Sequence, residues 1–152
     1  MANPGSYTIT LSNNRAEGEA FSYLAGEHPY FRLLSSVERK YVMERMGLAH
    51  SFRRAFDLVL LPSKAKNALE KTDPKDWILI ELKTTKKKLV KRPAGFFFGA
   101  TENEFKLAVQ LGDRYKFCFV SLHPESMGYT LLTYPEMLKL VRTQRTQYQI
   151  NL

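Results

Sequence analysis

The sequence predicts an α/β fold, a single domain in which helices flank a mixed central β-sheet. Three observations predict it. At 152 residues the chain has the size of one domain. Its 44% apolar and 12% aromatic content is that of a globular chain rather than a disordered one. Segments with helical spacing also alternate with short apolar runs bounded by turn residues. Within 1–152 the core is expected over 35–122, with an N-terminal strand and helix over 1–34 and a C-terminal strand, helix and basic tail over 123–152. Neither repeats nor low-complexity tracts appear, and at this length no separate recognition domain is expected.

Residues 7–11 alternate weakly and are expected as a short edge strand or an ordered arm. Over 14–24, Ala16, Ala20, Phe21 and Leu24 fall at helical spacing, with Asn13 or Asn14 as cap. After a turn over 26–29, the run SSVERKYVMERMG places Val37, Tyr41, Val42 and Met46 three and four residues apart, capped by Ser35 or Ser36 and ended by Gly47. AFDLVLLP reads as a strand closed by Pro62, and WILIELKTT as a second strand, anchored by Trp77, that pairs with it in an antiparallel hairpin with a long loop. Phe96, Phe97 and Phe98 read as a short third strand or a hydrophobic lid. In TENEFKLAVQLG, Thr101 and Glu104 form a capping box, Phe105, Ala108 and Leu111 an apolar face, and Gly112 a stop. YKFCFVSL is expected as a buried strand and YTLLT as a further one. Thr133 with Glu136 opens a last helix that turns Met137, Leu138 and Val141 inward and Lys139, Arg142 and Arg145 outward. The helix after Thr101 is long enough to be a crossover, so its flanking strands should be parallel.

Charge and composition narrow the function. There are 23 Lys and Arg against 15 Asp and Glu, a formal net charge of +8, which suits a nucleic-acid or acidic-membrane partner. A single cysteine, Cys118, within FCFVSL excludes an internal disulfide or thiolate cluster and reads as a small buried hydrophobe. The 3 histidines show no HExxH or zinc-type spacing. No apolar run approaches the ~18 residues of a membrane span, and the N-terminal segment has no leader pattern, so a reducing cytoplasmic setting is expected.

The chemistry concentrates on two strands. Alternation in WILIELKTT puts Ile78, Ile80 and Leu82 on one face and Leu79, Glu81 and Lys83 on the other. Asp57, at the start of DLVLL, is positioned to face Glu81 across the pair. Opposite charges at the end of an apolar strand are expensive to bury and call for compensation. Two opposed carboxylates attract a hard ion such as Mg²⁺, and a neighbouring lysine can orient a water or offset phosphate charge. A cross-strand salt bridge is the plain alternative.

With FDLVL, IELKTT and an upstream helix carrying a glutamate, the chain resembles the PD-(D/E)xK nuclease superfamily, the restriction-endonuclease-like fold. The order SVERKYVMERMG, FDLVL, IELKTT and TENEFKLAVQLGDRYKFCFV is similar to a group within it in which an ExKTT strand precedes a [ST]xxE helix and an aromatic strand. The resemblance covers about Val37 to Leu122, and Phe56 replaces the proline of the superfamily's name. It implies that Asp57 and Glu81 bind Mg²⁺, with Mn²⁺ as a substitute, that Lys83 assists the attacking water, and that a helix glutamate joins the metal. Glu38 is the choice, because Glu44 lies on the opposite side from Tyr41 and Val42; Glu17 or Glu19 on the earlier helix is the other option.

Lys86, Lys87, Lys88, Lys91 and Arg92 follow the catalytic strand, and His50, Arg53 and Arg54 precede Asp57. Such clusters bind phosphates by counterion release, although a solvated basic loop needs no partner. Arg142, Gln144, Arg145 and Gln147 carry donors matched to base edges or form a polar tail. Lys106 and Gln110 share a helix face, as accessory residues or plain surface. The expected function is a Mg²⁺-dependent, sequence-specific endonuclease of restriction or homing type that cuts double-stranded DNA as a homodimer or higher oligomer and has no membrane partner. A non-catalytic nucleic-acid-binding module and a repair, recombination or RNA-directed nuclease are the alternatives.

Overall fold

A computed structural model describes the backbone of residues 4–152, and side chains from residue 16 onward. In chain order the elements are α1 (Pro4–Glu27), β1 (Phe31–Leu33), α2 (Ser36–Met46), β2 (Leu58–Leu60), α3 (Ala68–Lys71), β3 (Ile78–Thr85), α4 (Glu102–Leu111), β4 (Tyr115–Ser121), β5 (Gly128–Leu132) and α5 (Tyr134–Leu138). The strands form one mixed sheet in the order β1-β2-β3-β4-β5. Every neighbouring pair is antiparallel except β3 and β4, which run parallel with α4 as the crossover between them.

Helices cover both faces of the sheet. On one, Ile80, Leu82, Cys118 and Val120 pack with Ala20 and Leu24 of α1. On the other, Val59, Leu79, Phe117 and Phe119 pack with Val42 and Met43 of α2, Leu107 and Ala108 of α4, and Met137 of α5. The strand β4, flanked by β3 and β5, is buried along nearly its whole length, which is why YKFCFVSL reads as a continuous apolar run. Trp77 is completely buried, and its indole N–H donates to Thr72 Oγ1 at 2.8 Å.

The helix starts follow the capping residues in the sequence. Ser35 with Glu38, Thr101 with Glu104 and Thr133 with Glu136 each form a reciprocal capping box. Gly47 ends α2 at φ 67°, a left-handed conformation that glycine adopts without a Cβ clash.

Several expectations need correction. Residues 7–11 are helical, α1 beginning at Pro4, so Asn13 and Asn14 are interior to a helix rather than caps. The short strand β1 gave no recognisable pattern in the sequence. Phe96, Phe97 and Phe98 form no strand; Phe96 and Phe98 lie against Phe119. On α2, Val37 is 79% exposed and Met43 takes an inward place instead. The last helix stops at Leu138, and residues 141–152 are irregular and exposed. Met137 finds the core, but Leu138 and Val141 have no facing element to bury them, and a short helix without a buried face does not hold. Among the described residues, no helix is long and apolar enough to cross a membrane.

Candidate active site

One strand register builds the centre of the site. Leu58, Val59 and Leu60 pair with Ile80, Leu79 and Ile78, so one further step of the antiparallel ladder sets Asp57 opposite Glu81. The backbone N–H of Asp57 donates to the Ile80 carbonyl at 2.8 Å, and that of Leu82 donates to Asp57 Oδ2 at 2.8 Å. The Asp57 carboxylate is thus tied to the strand that carries Glu81. Alternation sends Leu79, Glu81 and Lys83 to one face, where Leu79 enters the core and the Glu81 side chain is buried.

Burial raises the Glu81 carboxyl far above the usual carboxylate range; a hydrogen bond and negative charge from Asp57 raise it further, and Lys83 pulls it down. With Asp57 half-buried opposite it and Lys83 shared with Glu104, the buried Glu81 carboxyl needs further positive charge to ionise. A proton meets that need in the metal-free protein. A divalent ion with oxygen ligands meets it as well, so the donor set fits Mg²⁺. Among the described residues no group of three or more His, Cys, Asp or Glu is gathered for a metal. Asp57 and Glu81 would hold the ion, with water and substrate oxygens completing its shell.

Lys83 is closely held. Its Nζ lies 2.6 Å from Glu104 Oε1 and 3.6 Å from Glu81 Oε2, and 5.9 Å from the centre of the Phe98 ring. Glu104 reaches it because of the capping box. Its Oε2 accepts hydrogen bonds from the Thr101 N–H at 3.2 Å and Oγ1 at 2.8 Å, which leaves Oε1 for the ammonium. A flexible lysine is thereby fixed beside the carboxylate pair.

Arg39, which adds positive charge, and Tyr115 support the backbone beside Asp57. Arg39 of α2 donates through Nη1 to the Phe56 and Arg53 carbonyls and stacks 4.5 Å over the Phe56 ring. Burial lowers the pKa of its guanidinium, and the charges of Asp57 and Glu81 raise it again. Tyr115 donates its hydroxyl to the Ala55 carbonyl; its pKa is raised by burial first and then by Glu81, Glu104 and Asp57. Together they fix the backbone that leads into Asp57.

The glutamate chosen from the second helix is not among these groups. Both oxygens of Glu38 are engaged elsewhere, Oε1 by the Ser35 N–H and Oε2 by Arg32, and these contacts lower its pKa; neither Asp57 nor Glu81 acts on it. Of the alternatives on the first helix, Glu17 of α1 has its pKa raised by partial desolvation first and then by the Asp57 charge, and lowered by Lys83. Glu19 instead pairs with Lys86 at 3.5 Å, and Glu44 is exposed.

Of the basic candidates, His50, Arg53 and Arg54 are exposed around a helical turn at His50–Phe52, just ahead of Asp57. Lys86, Lys87, Lys88, Lys91 and Arg92 are exposed on the β3–α4 connection. Lys88 pairs with Glu125 at 3.0 Å, and Arg92 donates to the Met127 carbonyl at 2.7 Å. Arg142, Gln144, Arg145 and Gln147 lie in the exposed terminal segment, with no contact to the cluster. Lys106 pairs with Glu102 on the helix surface, and Gln110 is exposed there too. Concavities of about 320 and 370 Å³ share Tyr30 and Leu61 in their linings, at the opposite end of the hairpin from Lys83.

No family model matches the chain, and no curated protein or solved structure matches it. The sequence reading missed Glu104 and Arg39 as site residues. Glu104 was visible only as a helix cap, and nothing in the local sequence tells a cap that faces solvent from one that faces Lys83. Arg39 had no signal beyond its place beside Glu38.

Proposed function

We propose that the chain is a Mg²⁺-dependent nuclease with a PD-(D/E)xK, restriction-endonuclease-like core that hydrolyses phosphodiester bonds of double-stranded DNA in a restriction or homing role, Mn²⁺ serving as a substitute ion. The observation that carries this reading is the opposed Asp57 and Glu81 pair with Lys83 on the same face of β3. Mg²⁺ bound there would polarise a phosphoryl oxygen and lower the pKa of a water. Asp57, fixed by the Leu82 N–H, and Glu81, fixed by its strand, bind and orient. Lys83, braced by Glu104, donates hydrogen bonds to the attacking water or to the phosphate oxygen on which charge develops. Arg53 and Arg54 on one side and Lys87 and Lys91 on the other take the flanking phosphates. Cutting both strands calls for two such sites, hence a homodimer or higher oligomer. The reading places the protein in the cytoplasm, where the buried Cys118 stays a thiol with its pKa pushed up to about 12.

The test is cleavage of a mixed pool of long double-stranded DNA at low salt with Mg²⁺ or Mn²⁺. Asp57→Ala and Lys83→Ala are expected to reduce cutting by about 10²–10⁴-fold while binding persists. Undiminished cutting by both variants would sink the assignment.

The close pairing of Lys83 with Glu104 and Glu81 also suits a second reading, a non-catalytic nucleic-acid-binding module in which the charges are structural. That reading expects no Mg²⁺ binding that depends on Asp57 and Glu81. Calorimetric titration of Mg²⁺ into the protein and the Asp57→Ala variant separates the two.

A further inference from the structure

Residues 86–99, which connect β3 to α4, form neither strand nor helix and yet are anchored at several points. Leu89 is buried, and its N–H donates to Ser126 Oγ at 3.1 Å. The Arg92 guanidinium donates to the Met127 carbonyl and occupies the space above Gly128, where an added Cβ would come within 1.0 Å of Nη1. Phe96 and Phe98 meet the Phe119 ring edge-on, with centroids 5.1 and 5.0 Å away. With both neighbours turned inward, the residue between them is turned out, and Phe97 is 93% exposed.

The segment that carries that ring is basic. Among the described residues Lys87 and Lys91 form no ion pair, and the pairs of Lys86 with Glu19 and Lys88 with Glu125 are exposed ones of the kind that contribute little. A phenyl ring held outward on a segment that also presents exposed lysines complements a polymer that alternates flat apolar rings with phosphates. Its inner neighbour Phe98 covers Lys83, so the presented ring is one residue away from the site.

We infer that residues 86–99 are a strand grip in which Phe97 stacks on an unstacked base of a DNA strand while Lys87 and Lys91 hold the adjacent phosphates. The inference deepens the nuclease reading by naming what the strand meets beside Lys83. The binding itself needs no cleavage and is measured separately.

The experiment is fluorescence anisotropy in EDTA with two labelled single-stranded oligonucleotides of equal length, one of mixed sequence and one made of abasic sites. Phe97→Ala is expected to weaken binding of the mixed strand about tenfold, leave the abasic strand unchanged and preserve the salt dependence; Phe97→Trp should restore affinity. Lys87→Gln with Lys91→Gln should instead weaken both strands and lower the logarithmic salt slope by about 1.4, or about 0.7 per lost phosphate contact. Wild-type affinity of Phe97→Ala for the mixed strand, or an equal loss on the abasic strand, overturns the inference. So does a Phe97→Ala defect confined to phosphatidylserine vesicles, which would make the segment a lipid contact. Phe97-dependent binding without Mg²⁺-dependent cutting keeps the grip and removes the nuclease; cutting with binding indifferent to Phe97 does the reverse.

Discussion

Ser35 with Glu38 at the start of α2, and Thr101 with Glu104 at the start of α4, are the same local device. Each glutamate folds back on its own cap with one oxygen. The other oxygen of Glu38 meets Arg32 at the protein surface, where both side chains are 31% exposed, whereas that of Glu104 meets Lys83 in a buried cluster. A surface pair of the first kind contributes about 0–1 kcal/mol. Breaking a buried pair of the second kind leaves a charge without its counterpart and costs several times more. Local sequence therefore sets the cap, while the element packed against it sets whether the cap has a second role.

Replacing both glutamates tests the contrast most strongly. Glu104→Ala is expected to cost about 3 kcal/mol in urea unfolding and, under the nuclease reading, to lower DNA cleavage about 10²-fold. Glu38→Ala should cost about 1 kcal/mol for the lost cap and leave cleavage intact. Equal cleavage losses at the two positions would break the comparison.

Titration sharpens it with opposite signs. Glu38 is held below its ordinary value of 4.5, so the stability it contributes is present at neutral pH and is lost as pH falls through its folded value. Glu81, braced through Lys83 on the Glu104 side, is held above 4.5, so its folded form keeps a proton that the unfolded chain gives up. Its contribution is full below 4.5 and is lost as pH rises above that value. Mg²⁺ replaces that proton in the proposed site. At about a hundredfold excess over Kd it should add about 2.7 kcal/mol to the unfolding free energy, more at alkaline than at acidic pH, and nothing in Asp57→Asn. Thermal unfolding across pH, with and without Mg²⁺, measures both effects.

The smallest effect is the most selective. Glutamine still serves in a capping box. Glu38→Gln should therefore stay within about 0.5 kcal/mol of the parent protein with unchanged cleavage. Glu104→Gln should keep helical circular dichroism yet lose cleavage, because an amide caps α4 but cannot balance the Lys83 charge. Retained cleavage in Glu104→Gln would reduce Glu104 to a helix cap.

Much of this architecture was legible because it is written in local patterns. The strand alternation of WILIELKTT divided Leu79, Glu81 and Lys83 from Ile80 and Leu82 as the two cores do. The hairpin of β2 with β3, the parallel crossover through α4 and the caps at Thr101 and Gly47 follow from spacing and turn chemistry, while the structure chose Ser35 over Ser36. The weak alternation over 7–11 suggested a short edge strand or an ordered arm but lies in a helix, since a few residues of weak pattern do not fix an element's type. The outward turn of Val37 and the early end of α5 were hidden for a related reason. An apolar side chain marks a helix face only if another element arrives to cover it.

What the sequence determined by itself is what depends on neighbours a few residues apart: the strongly patterned elements, the capping boxes at Thr101 and Thr133, and which residues of a strand share a face. It offered Asp57 as a partner that could face Glu81, and the register that pairs Leu58 with Ile80 made the two meet. Only the tertiary structure decided that Glu104 rather than Glu38 joins Lys83, that Arg39 braces the turn into Asp57, and that Phe97 faces out between two inward rings. Those outcomes depend on which helix packs over which strand end, and the free energy that settles it is spread over the whole core, not held in any short stretch of chain.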